Sequence, residues 1–90
     1  MSKLGVYTGT FDPITLGHIN VIERSRALVD ELVIGIGMNF RKTPMFSLEE
    51  RVDLIQQSTS HLDFVKVEPY DGLAVDFVNS LGAKIIIRGI

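Results

Sequence analysis

Cysteine is missing from these 90 residues, so neither a disulfide framework nor a thiolate metal site can exist. A basic surplus is missing as well. Nine Lys and Arg stand against eleven Asp and Glu, for a formal net charge of −2. General binding to a phosphate backbone calls for a clear cationic excess, so nucleic acid is not an expected partner. No apolar run approaches the ~18 residues of a membrane span. The opening Met1-Ser2-Lys3 leads into strand-like sequence without a secretory pattern. A soluble cytoplasmic protein, with no membrane association, is the expectation.

Apolar residues, by contrast, are plentiful. They make up 46% of the chain, and mean hydropathy is +0.25. A chain of this length buries only about 60–65% of the surface it exposes when unfolded. So apolar a composition in so small a domain implies surfaces that further chain or a partner subunit covers.

Strand-like and helix-like segments alternate from end to end. Leu4 to Thr8 is a short apolar run closed by Gly9. Leu16 to Leu28 sets Ile19 and Ile22, with Val29 beyond, at helical spacing and turns Glu23, Arg24 and Arg26 toward solvent. Leu32 to Met38 is apolar on both faces, as a strand covered on both sides must be. A polar loop over 39–46 follows, and Ser47 with Glu50 then forms a capping box. The helix it opens carries Leu48, Val52 and Ile55 on one side and ends near Ser60. Phe64 to Glu68 reads as a third strand stopped by Pro69, and Leu73 to Leu81 as a third helix closed by Gly82. Lys84 to Arg88 is the fourth strand.

This βαβαβαβ order predicts one α/β domain with a Rossmann-like parallel sheet and right-handed crossovers. Ligands of such sheets bind beyond the carboxyl ends of the strands, where strand order reverses. The residues just after the strands are Gly9-Thr10-Phe11-Asp12, Asn39-Phe40-Arg41-Lys42, Pro69-Tyr70-Asp71-Gly72 and Arg88. They are polar and small where the strands are not.

The first of these loops is the most informative. Gly9 removes a side chain where the backbone leaves the strand and a ligand can approach. Thr15 is a candidate N-cap. Gly17 and His18 then fall in the first helical turn, whose open N–H groups and dipole favour an anion. A histidine there can donate to a phosphate through either ring nitrogen.

The segment also resembles the Thr/His-x-Gly-His signature of the nucleotidylyltransferase superfamily. The longer string Gly9-Thr10-Phe11-Asp12-Pro13-Ile14-Thr15-Leu16-Gly17-His18 is similar to the phosphopantetheine adenylyltransferase family. Lys42 followed by Pro44 to Arg51, and Ile86-Ile87-Arg88-Gly89, continue the likeness in the same order and spacing, so it covers the whole chain. The resemblance implies AMP transfer from ATP to 4′-phosphopantetheine, giving dephospho-coenzyme A and pyrophosphate, with Mg2+ accompanying ATP. It implies His18 on the ATP phosphates and Thr10 aligning the attacking phosphate with the α-phosphate. It gives Lys42 and Arg88 to the phosphate of phosphopantetheine. Gly9, Phe11 and Gly17 would shape the nucleotide side, and residues 72–74, Ala74 included, would line the pantetheine arm.

Members of that family run on past Gly89 with another arginine-bearing loop, a further strand and a Ser-Ser-Thr-x-x-Arg-like stretch. The expectation is therefore residues 1–90 as a single nucleotidylyltransferase domain whose C-terminal part is missing, truncated after the fourth strand. Whole members suggest a hexamer; a fragment would dimerise or exchange strands through its open edge. Two alternatives stand beside this reading. One is an inactive, self-associating fragment; the other is a sister transferase with a different acceptor, such as nicotinamide mononucleotide or glycerol phosphate. Simpler structural roles are expected elsewhere: His61 in a solvated loop, Gly35 and Gly37 for close helix packing, and Glu49-Glu50-Arg51 as cap and solvated helix face. Asp12 is either an Asx-type turn residue or a direct ligand.

Overall fold

A computed structural model describes residues 3–38 and 43–88. Its elements are β1 (Leu4–Gly9), α1 (Leu16–Ser25), β2 (Glu31–Gly37), α2 (Leu48–Ser58), β3 (Val65–Tyr70), α3 (Ala74–Ser80) and β4 (Ile85–Ile86). All strand pairs are parallel, in the order β3-β2-β1-β4. The Rossmann-like α/β reading therefore holds.

The order explains where the helices go. The chain steps from β1 to β2 to β3 in one direction and then returns to the far side of β1. Crossovers of one hand then place α1 and α2 on one face and α3 on the other. On the first face Ile22 and Ile55 pack against Tyr7, Leu32, Ile34 and Ile36. On the second, Val78 meets Val6 and Val33. β2 lies between two strands and under helices on both sides, so residues 32–36 are all buried. That is the physical reason its sequence shows no polar alternation. Gly35 makes room on the α3 face: a Cβ there would sit 2.7 Å from the Phe77 ring, which stacks on Tyr70 at 4.6 Å. Close packing thus accounts for this glycine.

Several element ends differ from the sequence expectation. α1 stops at Ser25, not Leu28. Ser25 Oγ bonds back to the Ile22 carbonyl at 2.6 Å, and the following residues form turns that leave Leu28 exposed. Such back-bonding competes with the helical ladder. Pro69 does not stop β3 but lies inside it, paired in register with Ile36. β3 is an edge strand, and there a missing N–H leaves no ladder bond unmade. β4 is only two residues long instead of five. α3 closes as expected at Gly82, whose φ of +70° only glycine adopts without cost. The Ala83 and Gly82 N–H groups satisfy the Val78 and Asn79 carbonyls, a Schellman closure.

Candidate active site at the switch point

Strand order reverses between β1 and β4, and the β1–α1 loop leaves the sheet beside that point. Thr15 is extended, with φ −116° and ψ 170°, and caps α1 through its hydroxyl, which accepts the His18 N–H at 3.3 Å. His18 reciprocates. Its Nδ1 accepts the Thr15 N–H at 3.0 Å and lies 3.0 Å from the Thr15 hydroxyl. In most capping boxes Glu or Gln takes this third position; here an imidazole does. A nitrogen accepting an N–H carries no proton, so the ring proton sits on Nε2. The sequence left either nitrogen available as donor; the fold leaves Nε2. Burial lowers the His18 pKa, so the ring is neutral at pH 7 and presents a single N–H.

Aromatic packing fixes the ring further. Phe11 meets His18 edge-on at 4.9 Å and Tyr7 at 5.3 Å. Phe11 is 3% exposed and sits at φ +48°, a left-handed conformation rare outside glycine. Its ring lies against Gly9, where a Cβ would come within 3.1 Å. Gly9 therefore makes room for Phe11 itself. The Tyr7 hydroxyl is buried without a partner among the described residues.

Two longer ties anchor the loop. Asp12 accepts the Met45 N–H at 2.6 Å and the Phe46 N–H at 2.8 Å, one on each carboxylate oxygen. It thus serves not as a local Asx turn but as a clasp to the segment before α2. Arg51 returns the connection from α2, its Nη1 donating to the Thr10 carbonyl at 3.1 Å. Sequence patterning put Arg51 on a solvated face; it is buried, at 5% exposure. The only signal was its place one turn beyond Ser47. Exposed Glu49 and Glu50 keep the expected cap and surface roles. His61 is exposed as expected, and pairs with Glu23 at 2.9 Å.

A cavity of about 350 Å³ is lined by Gly9, Thr10, Phe11, Asp12 and His18, among others. A second, of about 730 Å³, runs along α1 and takes in Gly17, Asn20, Arg24 and Arg88. Six of the eight sequence-derived site residues thus divide in an informative way: Gly9, Thr10, Phe11 and His18 share one cavity, and Gly17 joins Arg88 in the other. Ala74 opens α3 and lines neither. Lys42 lies outside the described residues.

The cytidylyltransferase-like family matches residues 6–90. Among curated relatives, phosphopantetheine adenylyltransferase of Rhodopirellula baltica is 55% identical over 98% of this chain and 49% of its own length. The enzyme of the same name from Lachnoclostridium phytofermentans is 53% identical, over 98% and 54%. The chain spans about half the length of these relatives. Solved structures agree. The lipopolysaccharide core biosynthesis protein of Thermoplasma volcanium superposes with a TM-score of 0.71 at 29% identity, over 96% of this chain and 73% of that one. A bifunctional NMN adenylyltransferase/ADP ribose pyrophosphatase of Francisella tularensis, complexed with AMP and a Mn ion, gives 0.68 at 28% identity, over 80% and 23%. With the signature turn, the switch-point cavity and this match along nearly the whole chain, the protein belongs to the cytidylyltransferase-like family.

Proposed function

We propose that this chain carries the phosphate-handling half of an adenylyltransferase that joins ATP to 4′-phosphopantetheine. The observation that carries the reading is the Thr15–His18 box, in which a neutral imidazole offers Nε2–H beside a cavity opened by Gly9 and Thr10. The names borne by relatives at 53–55% identity supply the substrates.

In the transfer, a phosphate oxygen of phosphopantetheine attacks the α-phosphorus of ATP. The bond from that phosphorus to the bridging oxygen breaks, and pyrophosphate leaves with its electron pair. The attacking phosphate is already ionised at neutral pH, so no general base is needed. Catalysis then consists of alignment and charge stabilisation. Nε2–H of His18 donates to the α-phosphate as charge shifts toward the leaving group. Thr10 aligns the two phosphates, with Gly9, Phe11 and Gly17 forming the nucleotide side. Lys42 and Arg88 hold the acceptor phosphate, the former as a mobile point charge and the latter through paired donors. Ala74 lines the pantetheine arm. Losing one such donor costs on the order of 10²–10³ in rate.

Mg2+ enters with ATP. Among the described residues no group of three or more His, Asp or Glu could hold a metal ion. Phosphate oxygens and water would largely hold it, as that ion prefers, and no step above runs through it. Homo-oligomerisation is part of the same proposal.

Calorimetric titration with dephospho-coenzyme A, which spans both halves of the proposed site, tests the reading without turnover. Saturable binding that His18→Ala weakens at least tenfold is the expected result. Binding indifferent to His18, or tighter binding of nicotinamide adenine dinucleotide, would discard the acceptor or the site.

A further inference from the structure

Arg51 is the one buried cation of the described residues. A guanidinium stays charged, and buried charges are normally paired, because desolvation is otherwise uncompensated. Among the described residues Arg51 has no such pairing. The ion pairs among the described residues are Arg26–Asp63 and His61–Glu23, and the Arg51 Nε is buried without a partner. Its one side-chain bond among the described residues goes to a neutral acceptor, the carbonyl of Thr10, on the loop that lines the cavity with His18. The same loop is held from the other direction, because Asp12 grips the amides of Met45 and Phe46 just ahead of α2.

We propose that Arg51 is a positioning residue of the phosphate site: it pins the Thr10 carbonyl, and its buried charge finds its counter-charge in the phosphates of the bound nucleotide. This rests on the reading of the cavity as a phosphate site. Arg51 acts through the loop and through the potential in the cavity; it is not assigned contact with the reacting atoms. A low-dielectric position makes that charge effective, as water screens it less than an exposed one.

The test compares ATP with adenosine, which lacks the phosphates, by calorimetry on the chain and on Arg51→Met, Arg51→Lys and His18→Ala. Met keeps the aliphatic stem and removes the charge and the donor. The expected result is ATP binding weakened at least tenfold in Arg51→Met, partly recovered in Arg51→Lys, with adenosine binding unchanged within twofold. Equal losses of ATP and adenosine would reduce Arg51 to a packing role and overturn the proposal. So would unchanged ATP binding in Arg51→Met while His18→Ala loses it, which leaves the site reading intact. Indifference of ATP to His18→Ala, or no ATP binding by the folded chain, removes both. Should Arg51→Met not fold, the Arg51 Nε–H resonance of the unmutated chain decides: it shifts with ATP and not with adenosine, or the proposal falls.

Discussion

Two strand-to-helix connections at the same end of the sheet are built very differently. At the β1–α1 connection Asp12 and Thr15 of the loop and His18 of the first turn of α1 all bond to backbone amides, and Arg51 reaches in from α2. In the β3–α3 connection, Leu73 occupies the N-cap with no side-chain bond to α3. Gly72 stands at φ +78° with nothing within 4 Å of where a Cβ would be, and Leu73 is 65% exposed. The cores beneath follow suit, ten buried residues on the α1/α2 face and three on the α3 face. Order is concentrated at the loop that lines the cavity with His18. On the proposed reading a misplacement of about 1 Å there costs far more than elsewhere, whereas the β3–α3 connection carries no side-chain cap bond.

The contrast is open to direct attack, most strongly through the cores. Ile55→Ala removes a fully buried side chain and is expected to cost about 2–5 kcal/mol, and Val78→Ala only about 1–2 kcal/mol. Urea unfolding measures both, and equal losses would erase the asymmetry. Next in size is Asp12→Ala, which removes two bonds between a carboxylate and backbone amides and is expected to cost about 1–3 kcal/mol in all. Asp71→Ala in the β3–α3 connection should stay within about 0.5 kcal/mol. A smaller pair sharpens the comparison at the caps. Thr15→Ala loses about 1 kcal/mol, whereas Leu73→Asp, which adds the cap that α3 lacks, gains about as much. Thermal unfolding with opposite shifts in midpoint is the expected outcome.

The smallest effect depends on pH. Burial lowers the folded-state His18 pKa below its ordinary 6.5. Below that value the unfolded chain takes up a proton that the folded chain refuses, so stability falls as pH drops from neutrality. Protonation of Nδ1 also breaks its bond from the Thr15 N–H. The midpoint of the unmutated chain should therefore fall between pH 7 and pH 5.5 by more than that of His18→Gln. Parallel profiles would contradict a half-buried, neutral His18.

Alternation of apolar and helical spacing was enough to read the strand and helix order, both capping residues and the glycine that closes α3. Each of these depends on neighbours within four residues. The failures have a common cause. Pro69 reads as a strand breaker until β3 is known to be an edge. Arg51 reads as solvated until α2 is docked beside the first loop. Asp12 offers a local turn, while its amide partners lie 33 and 34 residues away.

For the site, the sequence alone determined the loop chemistry: Gly9 and Thr10 after the first strand, a threonine cap, and a histidine in the first turn of α1. Those are matters of residue type and short spacing, and local backbone physics settles them. Only the tertiary structure decided that the histidine donates from Nε2, that Gly9 makes room for Phe11, and that a buried arginine holds the Thr10 carbonyl. Each of these requires groups far apart in the chain, or a ring in a definite rotamer, to be brought within about 3–4 Å. No pattern along the sequence encodes such distances.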